Sequence, residues 1–174
     1  MQKYKYISVE DKKLDYTPNL ENYEHWYKNF DLKKAEKGEI EYFEDGSLNA
    51  AQNAIERHAH DSFRNKVALY HLDDNLVETK ITFYELNALS NQFGNFLKSI
   101  EVNPGDRVFF FLPRIPEIFY GFLGTLKIGA IAGTMFSAFG PQALLDRLEN
   151  SKAKVLITTQ DLTSRLKTIK KDLP

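Results

Sequence analysis

Arg107 to Thr158 reads RVFFFLPRIPEIFYGFLGTLKIGAIAGTMFSAFGPQALLDRLENSKAKVLIT, and the rhythm of this stretch decides the fold. Val108 to Leu112 is an unbroken apolar run of β-forming residues, as expected of a strand buried on both faces. Pro116 fits the first position of a helix that runs through Leu126 and is ended by Gly129. Ala130 to Met135 is the next strand. Gly140-Pro141 opens a helix with Leu144, Leu145 and Leu148 on one stripe, and Lys154 to Thr158 is the strand after it. Strands and helices alternating in this way predict an α/β fold: a partial doubly wound parallel sheet with covering helices, joined by right-handed crossovers.

Toward the N-terminus the signals become more local. Pro104-Gly105-Asp106 is a turn. Thr82 followed by Glu85 is a capping box, opening a helix through Leu86, Leu89, Phe93 and Leu97. Val67 to Tyr70 and Thr79 to Thr82 read as strands of an antiparallel hairpin, with Asp73-Asp74-Asn75 supplying turn chemistry. Asn49, with Gln52 three residues on, opens a helix through Ala54, Ile55, His58 and Ala59. Residues 1–45 are polar, aromatic and weakly periodic, a short, mostly helical or irregular extension ahead of a main domain over 46–174. Within it, Tyr23, Trp26, Tyr27 and Phe30 share one face of a short helix, which is too small to bury that face alone and is expected to dock on a neighbour.

Composition narrows the function classes. A net charge of −1 gives no basic face for nucleic acid, and the run Lys167 to Lys171 reads as a solvated helix face. The chain has no cysteine, which removes disulfides, thiolate metal sites and a cysteine nucleophile, and fits a reducing, cytoplasmic setting. Met1 to Tyr6 lacks the apolar segment of a signal peptide. Ile118 to Gly140 is apolar enough to suggest a membrane span. Lys127, four glycines and the helix stop at Gly129 favour a buried helix running into a buried strand, so no membrane partner is expected.

Catalytic signatures are sparse. Neither G-x-G-x-x-G nor G-x-x-x-x-G-K-[ST] occurs, and Gly121, Gly124, Gly129 and Gly133 read as sites of close helix–sheet packing. His58 and His60, with Asp61 adjacent, form an H-x-H, but residues two apart on a helix face apart; a helix-terminal histidine is the ordinary reading, and no metal site is expected. Arg114, Phe136-Ser137-Ala138 and the residues from Thr159 onward fall at the carboxyl edge of the expected sheet, where doubly wound folds place ligands.

Several segments also carry a resemblance. Asn49 to His58 resembles the N-x-A-x-x-x-[IV]-[DE]-R-H segment of acetyl-CoA synthetases. Thr82-Phe83-Tyr84-Glu85-Leu86, Gly105-Asp106-Arg107-Val108, Leu112-Pro113-Arg114-Ile115-Pro116-Glu117, Lys127-Ile128-Gly129-Ala130 and Phe139 to Leu148 are similar to motifs shared across the adenylate-forming acyl-CoA synthetase superfamily. The resemblance implies that 46–174 is the first, incomplete part of an AMP-binding large domain. The implied reaction joins acetate to CoA through an acetyl-adenylate, using ATP, CoA and Mg2+. The family's Pro-Lys-Gly loop, ribose-binding aspartate and mobile-domain lysine do not occur here, so no catalytic, ATP-binding or metal residue carries over. The chain is therefore expected to be an inactive N-terminal fragment that binds no cofactor tightly and self-associates through exposed apolar faces.

What carries over is part of a CoA site: Phe136, Ser137 and Ala138 after the second core strand, and Ser164, Arg165 and Lys167 on a basic helix after the third. The resemblance implies that Phe136 covers the adenine and that Arg165 or Lys167 meets CoA phosphates; Ser164 and Lys167 stand where the family often has arginine. A ligase for another short-chain acid such as propionate fits the same residues. A stand-alone α/β binding domain without catalysis is the rival of a different class.

Overall fold

The computed structural model describes Thr17 and residues 20–173. They fall into two units, the first ending at Ile40 and the second beginning at Glu41. In the first, α1 (Tyr23–Asn29) is followed by α2 (Leu32–Glu39), whose start is capped by Asp31 Oδ1 accepting from the Lys33 and Lys34 amides at 3.0 and 3.3 Å. The aromatic stripe of α1 forms as its spacing predicts, and Tyr23 stacks on Tyr27. Tyr23, Trp26, Tyr27 and Phe30 are each more than half exposed.

The second unit opens with Asn49, whose Oδ1 accepts from the Ala51 and Gln52 amides at 2.9 and 3.3 Å. The helix it starts contains a π turn, Gln52–Glu56, before the short α3 (Arg57–Ala59). The hairpin follows, with β1 (Val67–Leu72) antiparallel to β2 (Glu78–Thr82). Asp73 Oδ1 accepts from the amides of Asn75 and Val77, and Leu76 takes a left-handed φ of 64°. Then α4 (Phe83–Ser99) begins on the capping box: the Glu85 amide donates to Thr82 Oγ1 at 3.2 Å, and the Thr82 amide to Glu85 Oε2 at 2.8 Å.

The alternation read from the sequence follows: β3 (Arg107–Phe111), α5 (Glu117–Lys127), β4 (Ile131–Met135), α6 (Pro141–Ser151), β5 (Val155–Thr158). The three strands form a parallel sheet in the order β4-β3-β5. As the central strand, β3 sends side chains to two cores. Val108 and Phe110 join Leu97, Val102, Leu112 and Ala130 on one face. Phe109 and Phe111 join Met135, Leu144, Leu148 and Ile169 on the other. Both sheet faces are covered, which is why β3 is apolar at every position after Arg107. A third cluster, around Ile55, Ile81 and Leu86, packs the hairpin against α4 and α5.

Local readings need correction. Pro116 is the residue before the first helical one, not the first. Gly129 does end α5, with φ 75°. The glycines do not all serve helix–sheet packing. A Cβ on Gly121 would meet the Phe110 ring at 2.7 Å, but one on Gly124 would meet Ser90 O at 2.5 Å, so Gly124 lets helix approach helix. The segment after β5 is no basic α-helix: Gln160–Arg165 is a 3-10 turn, followed by further turns through Asp172. Leu162, Leu166, Ile169 and Leu173 nonetheless all pack into the second core. Among the described residues, no helix is long and apolar enough to cross a membrane.

Candidate functional site

Parallel strands end together, so the turns after β3 and β4 leave the sheet side by side. Phe111 pairs with Met135 in the last register position. Beyond them, Leu112 to Pro116 and Phe136 to Gly140 border an open cleft of about 490 Å3, a size that suits part of a nucleotide-bearing ligand. Pro113, Arg114, Phe136, Ser137, Phe139 and Arg147 are among its lining residues, and no acidic residue is. The cleft is therefore cationic.

Each wall has its own support. After β3, Pro113 and Pro116 restrict the backbone, the Ile115 amide donates to Pro113 O at 2.9 Å, and His71 Nε2 lies 3.2 Å from Arg114 O. After β4, the Phe139 amide donates to Phe136 O at 2.9 Å, closing a turn that sets the two rings edge to face at 6.0 Å. Phe136 is 63% exposed, a large aromatic held open at the cleft. The Arg147 guanidinium lies 4.2 Å from the centre of the Phe139 ring and donates from Nη1 to Ala143 O.

Of the residues singled out in the sequence, Phe136 and Ser137 line the cleft, and Ala138 is exposed on the same turn. Arg165 is brought to that turn: its Nη1 donates to the carbonyl oxygens of Ser137 and Phe139. Ser164 and Lys167 are exposed and do not line the cleft; Ser164 Oγ donates locally to Asp161 O. Phe139 and Arg147 complete the site; both belong to the Phe139 to Leu148 segment that resembles a superfamily motif, although that resemblance did not single them out as site residues.

The two histidines of the H-x-H make different contacts. His58 Nδ1 lies 3.1 Å from Asp61 Oδ2 while Nε2 accepts from Arg57 Nε, and the imidazole packs between Phe63 and Phe83. His60 is exposed and apart from it in these contacts. Among the described residues no three His, Cys, Asp or Glu side chains gather to hold a metal ion.

Comparisons with known proteins bear on the family and the fold. The family model described as AMP-binding enzyme matches residues 55–174. An acetyl-coenzyme A synthetase of Bacillus subtilis is 50% identical over 149 residues, which are 85% of this chain and 26% of that protein. The crystal structure of a Brucella canis acyl-CoA synthetase superposes with a TM-score of 0.80 at 32% identity, covering 89% of this chain and 28% of that one. An anthranilate CoA ligase in complex with anthranoyl-AMP superposes at 0.66 with 30% identity, covering 73% and 23%. The chain thus spans about a quarter of the length of the relatives it matches. With its helix-covered parallel sheet and the family model running from Ile55 onward, the chain belongs to the AMP-binding enzyme family.

Proposed function

We propose that this chain is the N-terminal part of an acetate–CoA ligase: residues 46–174 the first part of its AMP-binding large domain, residues 1–45 an extension. The observation that carries the reading is the 50% identity to an acetyl-coenzyme A synthetase across 85% of the chain. In the proposed reaction acetate attacks ATP to give acetyl-adenylate and pyrophosphate, and the CoA thiol then displaces AMP to give acetyl-CoA. A carboxylate is a poor acyl donor. Conversion to the mixed anhydride supplies a good leaving group, and the thioester forms at its expense.

The part played by this chain is to hold CoA. The cationic cleft at the sheet edge receives the nucleotide end, Phe136 covers the adenine face, and Ser137 and Ala138 shape the turn. Arg165 supports that turn from the far side, with Ser164 and Lys167 on the exposed surface of the same segment. The proposed reaction uses Mg2+ with ATP, and none of this chain's residues is assigned to that ion. The small-molecule substrates and the cysteine-free composition suit the cytoplasm.

Phe136→Ala in the intact protein that contains this chain tests the reading. The KM for CoA should rise several-fold while those for ATP and acetate hold; an unchanged CoA KM removes the cleft from the CoA site. Expressed alone, the chain should self-associate, because among the described residues β4 and β5 each pair on one side only and Ile131, Phe119 and Phe96 are about half exposed. A monodisperse monomer by light scattering would contradict this.

A further inference from the structure

The helix α4 carries asparagine at 87, 91 and 95, positions about one turn apart along a single face, with Lys98 continuing the row. Asparagine is a poor residue for a helix interior, so such a row needs a reason. Two of the three have one: Lys127 Nζ, at the end of α5, donates to Asn87 Oδ1 and, at 2.6 Å, to Asn91 Oδ1. The side chain of Asn95 has no hydrogen-bond partner among the described residues, and neither has the ammonium of Lys98. Both border a polar pocket of about 360 Å3, whose walls also include Glu56, Asn91, Gly94 and Lys127. We propose that this pocket binds a small oxyanion, a carboxylate or phosphate group held by Asn91 Nδ2, Asn95 Nδ2 and Lys98 Nζ. It shares no residue with the cleft at the carboxyl edge of the sheet, so the inference stands apart from the CoA reading.

The charges select an anion. Lys127 Nζ lies 3.2 Å from Glu56 Oε2, so that carboxylate is already answered, and Lys98 remains as the uncompensated charge of the pocket. The same buried lysine fixes the orientation of an amide. Because Asn91 Oδ1 accepts from Lys127, the Asn91 NH2 group, which can only donate, is left for the pocket that Asn91 lines. Positions 91, 95 and 98 follow at i, i+4 and i+7, so these donors stand in line along one wall. An ammonium and carboxamide N–H groups together suit the several lone pairs of an oxyanion. A cationic ligand would instead face two ammonium groups against one carboxylate, and an apolar one would strand the donors. The wall is also set before binding, since α4 and α5 are joined at Lys127 and packed closely at Gly124, so a ligand orders little beyond the Lys98 side chain.

Thermal melts of the intact protein that contains this chain read the site, with sodium acetate and sodium phosphate each titrated against sodium chloride at matched ionic strength. Acetate, phosphate or both should raise the melting temperature saturably above the chloride control, and the anion that does so shows whether carboxylate or phosphate is held. Lys98→Ala should raise the half-saturating concentration roughly tenfold or more, the range of a lost charge-assisted hydrogen bond. Asn95→Ala should raise it about threefold, and Lys98→Arg, which keeps the charge, should hold it near the wild-type value. Both side chains are exposed, so the variants leave the packing of α4 intact, and each is measured against its own melt in chloride. Anions bound elsewhere on the protein act on wild type and variants alike and drop out of the comparison. A saturable rise that is absent, or that half-saturates in Lys98→Ala or in Asn95→Ala at the wild-type concentration, overturns the assignment.

Discussion

Lys127 Nζ lies 3.2 Å from Glu56 Oε2, joining the last turn of α5 to the π turn that precedes α3. The same ammonium donates to Asn87 Oδ1 and, at 2.6 Å, to Asn91 Oδ1, both on α4. Three donors meet three acceptors, which is how a lysine whose side chain is only 10% exposed stays charged. Lys127→Met should lower stability by about 2 kcal/mol, the scale of hydrogen bonds to a charged group, because it strands Glu56 and the buried Asn87. Adding Glu56→Gln should recover part of the loss, a non-additivity that a double-mutant cycle in urea measures.

The proton on Lys127 gives that pair a pH signature. Burial holds its pKa below the ordinary lysine value, with Glu56 pulling the other way. The folded protein therefore binds this proton less tightly than the unfolded chain. Its contribution makes stability rise as pH climbs between the lowered pKa and the ordinary lysine value, and Lys127→Met should abolish that rise. A rise of the same size in the variant assigns it to another group.

Gly124 lies where α5 packs closely on α4. A methyl group there would meet Ser90 O at 2.5 Å and the Gly94 amide nitrogen at 3.0 Å, both backbone atoms that cannot swing aside. Gly124→Ala should cost about 1–3 kcal/mol by overpacking. Gly140→Ala, which finds open space, should cost far less in the same thermal melts.

Acid should weaken the protein through carboxylates that the fold holds charged. Hydrogen bonds from Thr82 lower the Glu85 pKa, and the bond from Lys154 Nζ at 2.7 Å, then that from the Asn103 amide, lower that of Asp106. Their folded pKa values lie below the unfolded ones, so the stability they add is present above about pH 4.5 and is lost as pH falls through the folded values. Glu85→Gln and Asp106→Asn should each flatten the acid limb of a stability–pH curve. An acid limb identical to wild type in both would place the sensitivity elsewhere.

Thr158 Oγ1, at the end of β5, is buried without a hydrogen-bond partner among the described residues. Thr158→Val keeps the shape and removes the unsatisfied hydroxyl, so it should be neutral or stabilising by up to about 1 kcal/mol. A clear loss of stability would mean that the hydroxyl is bonded in solution.

Much of the architecture was legible because it rests on local chemistry. The capping box at Thr82 and Glu85 and the apolar run of β3 after Arg107 each identify their element without reference to distant residues. The same holds for the αL stop at Gly129. The π turn at Gln52–Glu56 is not legible, since one widened turn leaves the apolar spacing nearly intact. Lys152, left-handed at φ 51° after α6, occupies a position where glycine is the usual signal. The segment after β5 misleads by its lysines, while Leu162, Leu166 and Ile169 anchor it. In the cleft, position at the strand ends pointed to Phe136 and Arg114. The commitment of Arg165 to a turn 26–28 residues away is a tertiary fact that no spacing encodes.

Hydrogen–deuterium exchange of the intact protein, with and without saturating CoA, tests the central claim most directly. The account predicts slowed exchange in peptides spanning the two turns after β3 and β4, around Arg114 and around Phe136 to Gly140. CoA that saturates the protein yet leaves both turns exchanging as in its absence would contradict it.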